Sequence, residues 1–501
     1  MVTAKSRWEK LNGSRDVILE RARDAAELTI PALMPREGHN ENSRLPQPYQ
    51  SLGARGLNNL SSKLTLALVP AGNPFFRLQI ADAVAAELQD ATAIQDELQK
   101  IENRAMRRVE NSNLRTNINV LIKLLASTGN ALLFMPDEGG TRVFRLTQYC
   151  VVRDAMGNWR EIVIEESVHP LTLDDDTRAA VEIEVKEDDD DNVKVYTHVS
   201  VTKEGKVEWY QEINDIEVPE SRGRVADPKD SPYIPLRWTA IENEDYGRGH
   251  VEEYIGDLRS LEGLSKSIVQ FSAAAAKVIF LERPNSSTDI EALQKAESGE
   301  FVEGNIEDVN ALQIEKFADF QVAKSTIEDL TLRLSHAFLL TTGTVRNAER
   351  VTAEEIRLQA QELEDVLGGV YTVLAQELQL PIVRRLMVQM RKAKELPNLP
   401  KGAIEPVIVT GFDALGRGHE LNKMRSYFGD LGAILASPVM EVFSAARVAD
   451  MLALQHNVDI EELKKTEEES AGEQQQGMAQ TVMDKATGPV AGAAAKATFE
   501  Q

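Results

Sequence analysis

Two long stretches with helical hydrophobic periodicity flank a polar insert, and this arrangement constrains the fold more than any other feature. In the first stretch, predicted as a helix from His250 to Leu281, apolar residues recur at steps of three and four and so share one face. Pro284 ends helical continuity, and the insert runs to about Lys316 before a second helix over 317–340. The residues predicted to pack the two helices together are Tyr254, Leu258, Leu261, Leu264, Ile268, Phe320, Ile327 and Leu334.

Helices of this length need further packing partners. The first would extend about 46 Å for about 31 residues at about 1.5 Å per residue. A hairpin of two such helices buries little of its apolar surface, so the rest of the chain or other subunits must pack alongside it. Periodicity alone favours the simplest interpretation, which is an ordinary helical hairpin inside a large α-rich enzyme.

The remaining sequence predicts an α+β, mainly helical protein. Residues 1–30 have the pattern of one amphipathic helix, and leucines at helical spacing predict another that is closed by Pro70. Helical periodicity continues over about 83–128. After Gly129 the period changes to two, which predicts a series of strands and hairpins, and a late strand is predicted over 406–410.

The composition is that of a soluble globular protein. The chain has 501 residues, of which 42% are hydrophobic, and this suffices for two to four domains. Cys150 is the only cysteine, so no intrachain disulfide is possible and a reducing compartment is expected. Residues 1–30 contain charges where a signal peptide has an apolar core, and the apolar runs are too short to span a bilayer. We therefore expect a soluble, intracellular protein.

The formal net charge of −24 argues against a high-affinity nucleic-acid binder, whose surface should be basic. It is compatible with a protein past which DNA slides without adhering. A local exception is the basic cluster Lys100, Arg104, Arg107, Arg108 and Arg115. Arg104 and Arg108 share a helix face that can touch phosphate, whereas Glu102 and Glu110 among them favour a solvated helix face.

No catalytic motif is found in the sequence. The nearest approach to a phosphate-binding loop, Gly411 to Gly416, lacks the lysine and hydroxyl that hold triphosphate and magnesium. The seven histidines are scattered, without a His-Glu-x-x-His motif or a Cys/His cluster, so a zinc site is not expected. We predict no metal, no cofactor and no enzymatic activity.

Five segments between about Trp8 and about Lys423 carry distinctive combinations of residues. They are Pro48-Tyr-Gln-Ser-Leu-Gly-Ala-Arg-Gly-Leu-Asn-Asn-Leu60, Tyr254-Ile-Gly-Asp-Leu-Arg-Ser-Leu-Glu262, Glu349-Arg-Val-Thr-Ala-Glu-Glu-Ile-Arg357, Glu362-Leu-Glu-Asp-Val-Leu-Gly-Gly-Val-Tyr371 and Gln376-Glu-Leu-Gln-Leu-Pro381. In residues, order and spacing, they resemble the head-to-tail connector (portal) proteins of short-tailed podoviruses. The match is poorest near Asp188 and after about Glu461.

The resemblance implies a portal-type subunit that assembles into a twelve-membered ring around a DNA channel. The regions it implies are a wing at 1–240, a first stem helix at 241–281, a clip at 282–316, a second stem helix at 317–340, a channel loop and long kinked wing helix at 341–400, and a helical crown with a low-complexity C-terminal tail at 401–501. Such a ring is made in the host bacterial cytoplasm and lies at one capsid vertex of the virion.

The resemblance also implies a set of partners. They are further copies of the chain, the terminase large subunit, the tail adaptor, the major capsid and scaffolding proteins, the internal core or ejection proteins, and double-stranded DNA bound transiently and without sequence preference; no membrane is expected. The clip contains nine acidic residues against three basic ones, which favours a basic partner surface. The clip residues predicted to dock a partner are Glu297, Glu300, Glu303, Glu307 and Asp308.

The segment 341–350 resembles the family's channel loop, which projects toward DNA. Its candidate DNA-facing residues are Thr342, Gly343, Thr344, Arg346 and Arg350. In one interpretation Arg346 and Arg350 touch phosphate briefly. In the other, they pair with Glu349 or with neighbouring helices at subunit contacts.

A capping box at Thr352 to Glu355 predicts the start of the helix that follows the loop. Gly368, Gly369 and Pro381 fall inside this helix, so we expect a kink or break. We assign Gly368 and Gly369 as a hinge that lets the helix bend as the ring adjusts between its empty and filled states.

Two alternatives to a ring-forming portal stay open on sequence alone. The first is a non-ring helical adaptor or scaffold protein, which would be a single chain of about 55.5 kDa in solution. The second, less favoured, is a DNA-processing enzyme, which would require a metal or nucleotide site and would show metal-dependent activity.

Overall fold

Helices and antiparallel sheets alternate in the structure, a computed structural model that describes residues 3–40, 42–70, 74–80, 91–183, 192–275, 279–284, 288–312, 317–340, 373–396 and 404–408. These all belong to the unit Met1–Ala414. The helices are α1 Ala4–Asn12, α2 Asp16–Glu27, α3 Leu52–Leu68, α4 Ala91–Glu110, α5 Leu114–Thr128, α6 Asp175–Ala180, α7 His250–Glu253, α8 Ile255–Ala275, α9 Ile290–Lys295, α10 Phe317–Ala337 and α11 Leu380–Lys392. The strands are β1 Phe76–Ile80, β2 Asn130–Phe134, β3 Arg142–Phe144, β4 Tyr149–Arg153, β5 Trp159–Val168, β6 Val193–Val201, β7 Val207–Ile213, β8 Ile216–Glu217, β9 Gly223–Val225, β10 Tyr233–Arg237, β11 Ile279–Glu282, β12 Val309–Leu312 and β13 Ile404–Ile408. The predicted α+β class is confirmed.

The largest sheet within the described residues has six antiparallel strands. β4, β5, β6 and β7 follow in that order, and β8 and β9 both pair with β7. Because successive side chains of a strand point to opposite faces, Cys150, Val163 and Tyr196 pack under α1, whereas Ile162 and Val199 face α2 and the smaller sheet β10–β2–β3. The strands predicted from the period of two in this region are confirmed.

The single helix predicted over residues 1–30 is wrong, because the chain forms two helices, α1 and α2. Trp8 of α1 packs on one face of the large sheet, and Leu19 of α2 packs on the opposite face. A straight helix cannot reach both faces, so a break is required. Arg15 lies at the joint, buried, and donates from Nη1 to the carbonyl oxygen of Tyr149 at 2.6 Å.

The main hydrophobic core joins α3, α4 and α5 to the smaller sheet and to the bases of the two long helices. Leu57, Leu60 and Leu64 of α3 lie in this core together with Leu121 and Leu125 of α5, all fully buried. Burying each such leucine contributes about 2 kcal/mol relative to leaving it exposed. The helix predicted to end before Pro70 is confirmed by α3.

The first long helix is shorter than predicted. An irregular turn at Tyr254 separates α7 from α8, and the described part of α8 ends at Ala275. Ile279 to Leu281, which were expected to complete the helix, lie in strand β11 instead. β11 pairs antiparallel with β12, beginning with Ile279 opposite Leu312. The Ile-Phe-Leu sequence of β11 favours a strand once a partner is present, and that partner lies about thirty residues away in the chain. The second long helix, α10, lies within its predicted range.

A π-helical turn, Ala375–Gln379, leads directly into α11, whose first turn contains Pro381. Proline has no amide hydrogen, so it cannot donate to the carbonyl four residues earlier. A π turn shifts the hydrogen-bond register and so accommodates the missing donor. Near Pro381, where a kink or break was predicted, the helix is continuous and contains this π turn. Gly368 and Gly369 lie outside the described residues.

Candidate functional site

The two long helices, α8 and α10, pack against each other, and their burial falls from base to tip. At the base, Leu258, Leu261 and Leu334 are buried, and Tyr254, Leu264 and Ile327 pack against them partly buried. Farther out, Ile268 and Phe320 are only partly buried, and the ring of Phe320 lies 5.6 Å from that of Phe271. The eight side chains predicted from periodicity therefore lie along the helix pair. Within a single chain, however, the outer part of the pair is poorly covered.

His250 is buried at the base of the pair. Its Nε2 donates to the carbonyl oxygen of Ala337 at 2.9 Å. Its ring lies 5.7 Å from that of Trp238, 5.1 Å from that of Tyr254 and 5.5 Å from that of Phe338. Burial lowers the pKa of His250, and the bond to the Ala337 carbonyl only partly offsets this. The imidazole is therefore neutral at pH 7, with its proton on Nε2.

The last carbonyl groups of α10, directly before segment 341–350, are bound by side chains of α3. Asn59 donates from Nδ2 to the carbonyl oxygens of Phe338 at 3.0 Å and Leu339 at 2.9 Å, and Lys63 donates from Nζ to Leu339 at 2.9 Å. Leu339 has φ +58, the left-handed conformation that ends the helix. These donors satisfy carbonyls that have no partner within the helix and complement its negative end. The point at which the chain leaves α10 is thereby held in place.

Side chains also attach the lower half of α8 to the N-terminal region. Arg259 Nη2 lies 2.6 Å from Asp24 Oδ2, and the Glu262 carboxylate accepts from the backbone amide of Tyr49 at 2.9 Å. One turn farther along, Lys266 Nζ lies 5.9 Å from the centroid of the Tyr49 ring. These contacts attach the base of α8 to the part of the chain described within residues 3–240, which we call the body.

Large apolar side chains are exposed along the long helices and beyond them. They are Val269, Phe280, Leu281, Leu293, Phe301, Ile306, Val322 and Leu332. Scattered exposed apolar residues are normal, but a concentration in one region marks an interaction surface. We regard these residues as the candidate assembly surface.

The segment between the long helices forms a small subdomain from β11, α9 and β12. Thr288 Oγ1 donates to Asp308 Oδ2 at 2.8 Å and accepts from the Asn305 amide at 2.9 Å. Asp308 is only 5% exposed, so it belongs to the interior of the subdomain. Although it was predicted to dock a partner, its carboxylate is not accessible to one. The exposed residues among those predicted to dock a partner are Glu297, Glu300, Glu303 and Glu307.

The predicted channel-loop residues lie outside the described residues, as does the part of the chain up to residue 372 that was predicted to be helical. Where the chain is described again, buried Arg385 attaches α11 to the body by donating to the carbonyl oxygens of Met135 at 2.9 Å and Asp230 at 2.9 Å. It also pairs with Asp137 at 2.8 Å, and Asp137 pairs with Lys392 as well. Burial alone would raise the pKa of Asp137, but the bonds from Lys392 and Arg385 lower it.

Sequence reasoning missed Asn59, Lys63, His250 and Arg385. Each acts on a backbone carbonyl that is distant in the chain, up to 280 residues away for Asn59. Periodicity reports only which side chains share a face, so it cannot identify such pairs. One usable signal was that Asn59 lies inside the first segment that resembles the portal family.

In the part of the chain that the structure describes, no group of three or more His, Cys, Asp or Glu side chains is placed to hold a metal ion. Over the same residues, no helix combines the length and the apolar character needed to cross a membrane. Cys150 is buried, and burial raises the pKa of its thiol to about 11.

Comparisons with known proteins agree on one family. The family described as "Bacteriophage head to tail connecting protein" matches residues 2–462. The portal protein of Enterobacteria phage T3 is 41% identical over 494 residues, with 96% of this chain and 92% of the relative covered. The portal protein of Escherichia phage T7 is 40% identical over 508 residues, with 99% and 94% covered.

Among solved structures, the neck of an empty GTA particle computed with C6 symmetry is similar at a TM-score of 0.38 and 11% identity, covering 78% of this chain and 90% of that chain. This similarity is low, so the assignment rests on the sequence relatives. The chain belongs to the bacteriophage head to tail connecting protein family of podoviruses, whose function is that of a phage portal.

Proposed function

We propose that twelve copies of this chain form a ring at a unique capsid vertex, with the α8–α10 pairs side by side around a channel for DNA packaging and ejection. In this ring the body would be the wing, the long helices would be the stem, and the subdomain between them would be the clip. The protein would act without catalysing a reaction of its own.

One observation carries the proposal, namely the apolar side chains exposed along the helix pair. Val322 and Leu332 of α10 are 68% and 57% exposed, and Val269 of α8 is 52% exposed. Burying such surface against a neighbouring copy is favourable by about 25 cal/mol per Å². A ring joins different faces of successive copies, so each copy can cover its neighbour's helices in turn.

Mass photometry and electron microscopy of the purified chain test the proposal. We expect annular particles of about twelve times 55.5 kDa. Val322→Glu should reduce their yield, because it would bury a charge at the contact. Val17→Glu, at a position on α2 that is 73% exposed, is the matched control. Single chains of 55.5 kDa at every concentration and salt would contradict the ring and favour the adaptor alternative.

The clip would dock the terminase large subunit during packaging and the tail adaptor afterwards. Glu297, Glu300, Glu303 and Glu307 are exposed and suit a basic surface on either partner. Replacing all four by Gln should weaken terminase binding and flatten its salt dependence. Replacing the exposed Glu220 and Glu242 by Gln is the control, and equal binding by both variants would contradict clip docking.

The channel-loop residues would touch DNA phosphates transiently. On this proposal, replacing Arg346 and Arg350 by Ala changes the rate at which DNA moves through assembled rings while ring yield stays unchanged. If the two arginines instead join subunits, ring yield falls. This single comparison separates the two interpretations.

Gly368 and Gly369 would act as the hinge of the long helix. Replacing both by Ala removes backbone freedom, so we expect a stiffer helix and less packaged DNA. Packaging yields identical to those of the unaltered chain would contradict the hinge.

The remaining partners follow from the portal function. The body and crown would meet the major capsid and scaffolding proteins and the internal core or ejection proteins. Affinity capture from infected cells with the ring as bait would test these contacts, and capture equal to that by a monomeric variant would contradict them.

A further inference from the structure

Three arginines on the second half of α4 line a cleft away from the helix pair. Arg104, Arg107 and Arg108 form one wall, and Gly140 and Glu395 contribute to the rest. The cleft has a volume of about 870 Å³. Arg104 and Arg107 are exposed and Arg108 is half-buried, so the guanidinium groups are accessible from solvent.

This face is more basic than the sequence indicated. Glu102, which the sequence places among the arginines, is only 5% exposed and accepts from the backbone amide of Leu78 at 2.7 Å. It therefore belongs to the interior and does not line the cleft. Lys100 pairs with Glu97 at 3.3 Å, outside the cleft.

Glu395 neutralises the cleft only in part. Arg108 Nη1 lies 3.3 Å from both carboxylate oxygens of Glu395, and Arg104 Nη1 lies 3.3 Å from its backbone carbonyl oxygen. Charge-assisted bonds of full strength are about 2.7–2.9 Å long, so these contacts are loose. Arg107 forms no ion pair within the described part of the chain.

The net charge of the whole chain suggests what this basic cleft binds. Copies that each carry −24 repel one another, and a ring brings them into contact. In a ring the contacting faces differ, so a basic site on one copy can meet acidic side chains on the next. Duplex DNA requires several basic contacts along its backbone and meets an overall acidic protein here, which disfavours nucleic acid as the occupant.

We propose that the cleft lined by Arg104, Arg107 and Arg108 binds a carboxylate-rich segment of the neighbouring copy. This inference rests on the proposed ring and adds a polar contact outside the helix pair. Arg107 is the arginine of the cleft that has no acidic partner among the described residues. Glu395 contacts Arg104 and Arg108, so a carboxylate that enters the cleft would share these two arginines with Glu395 or displace its side chain.

Charge reversal tests the contact. Arg107→Glu should give at least threefold less ring than the unaltered chain at equal concentration, and the deficit should shrink in high salt, where charges are screened. Arg224→Glu is the control. Arg224 is exposed, lies outside the cleft, and contacts an acidic side chain only at long range, with 3.7 Å between its Nε atom and Oε1 of Glu208. Equal ring yields for the two variants would overturn this inference while leaving the ring intact. Absence of rings in the unaltered chain would overturn the proposed function as well.

Cross-linking identifies the occupant. Asn111 lines the cleft and is exposed, so Asn111→Cys places a thiol there without removing an arginine. Cys150 is buried, and burial raises the pKa of its thiol, so a maleimide photo-cross-linker should label position 111 selectively. In rings mixed from isotopically light and heavy chains, we expect light–heavy cross-links to acidic peptides. Cross-links within single chains only would overturn the inference.

A third measurement addresses nucleic acid directly. Binding of a fluorescent DNA duplex should change no more for Arg107→Glu than for Arg224→Glu. A larger loss for Arg107→Glu with unchanged ring yield would show a phosphate site and overturn the proposed contact between copies.

Discussion

The Nε2 atom of His250 lies 2.9 Å from the carbonyl oxygen of Ala337, and this bond joins the start of one long helix to the end of the other. The two residues are 87 positions apart. The helix pair and its outer subdomain therefore form one continuous stretch of chain, and the first and last residues of this stretch, His250 and Ala337, meet at one buried point. Segment 341–350 follows directly after this point, so the start of that segment is attached to the body as well.

His250 should make the stability of this base depend on pH. Burial holds its pKa below 6.5 in the folded protein, whereas the unfolded chain takes up a proton as the pH falls through 6.5. The unfolded state then binds more protons, so stability is full above pH 6.5 and declines below it. His250→Gln keeps an N–H donor but does not titrate. We expect a lower Tm near neutral pH and a smaller decline toward about pH 5. Parallel Tm–pH curves would contradict this role.

Asn59 should stabilise the last turn of α10. Asn59→Ala removes hydrogen bonds to two carbonyls, each worth about 1 kcal/mol, so we expect a loss of about 2 kcal/mol. Hydrogen exchange of the last-turn amides should accelerate. Asn58→Ala, on the exposed side of the same helix, should change stability by less than about 0.5 kcal/mol. Similar exchange in both variants would contradict this role of Asn59.

Two glycine-to-alanine changes should have opposite signs. A Cβ at Gly56 would lie 2.6 Å from Cγ of Phe338, so Gly56→Ala should destabilise the protein by about 1–3 kcal/mol through overpacking. A Cβ at Gly263 in α8 meets nothing within 4 Å of it. Gly263→Ala should therefore stabilise the helix by about 0.5–1 kcal/mol. Thermal unfolding of both variants at one chain concentration is the measurement, and shifts of equal sign would contradict the close packing of Phe338.

Glu161 should hold α1 on the large sheet down to acidic pH. Arg7 Nη2 lies 2.6 Å from Glu161 Oε2, and His198 Nε2 lies 2.8 Å from Oε1. Burial alone would raise the pKa of Glu161, but the bonds from His198 and Arg7 lower it from 4.5 to about 2. A depressed carboxyl pKa stabilises above pH 4.5, and this contribution is lost as the pH falls toward 2.

The size of this effect is up to about 3 kcal/mol, at about 1.4 kcal/mol for each pH unit between the two pKa values. Glu161→Gln should therefore lower Tm at about pH 6, and its difference from the unaltered chain should vanish near about pH 2. Glu208→Gln, exposed on β7, is the control. A difference that does not depend on pH would mean that the Glu161 side chain contributes through shape and not through charge.

Local pattern was sufficient for the elements and for the pairing of the long helices. Leu258, Leu261 and Leu334 lie in the core as the steps of three and four predicted, because such steps place side chains on one helix face wherever the helix sits. The strands after Gly129 followed from a period of two for the same reason. The segments that resemble the portal family carried the function, and sequence relatives confirmed it.

Tertiary contacts decided the features that local pattern could not. Ile279 to Leu281 continue a helical pattern, but pairing with β12 places them in a strand. Asp308 and Glu102 are acidic residues, which sequence reasoning places at the surface. Each is buried nevertheless, because a hydrogen-bond donor is available in the interior: Thr288 for Asp308 and the Leu78 amide for Glu102.

The sequence by itself determined the type of most elements, the helix pair and the family, because these depend on spacing along the chain and on residue identity. Only the tertiary structure decided which charges are buried, which carbonyls Asn59 and His250 bind, and that three arginines line one cleft with little to neutralise them. Those outcomes depend on atoms brought within about 3 Å from positions far apart in the chain, and side-chain spacing contains no information about such distances.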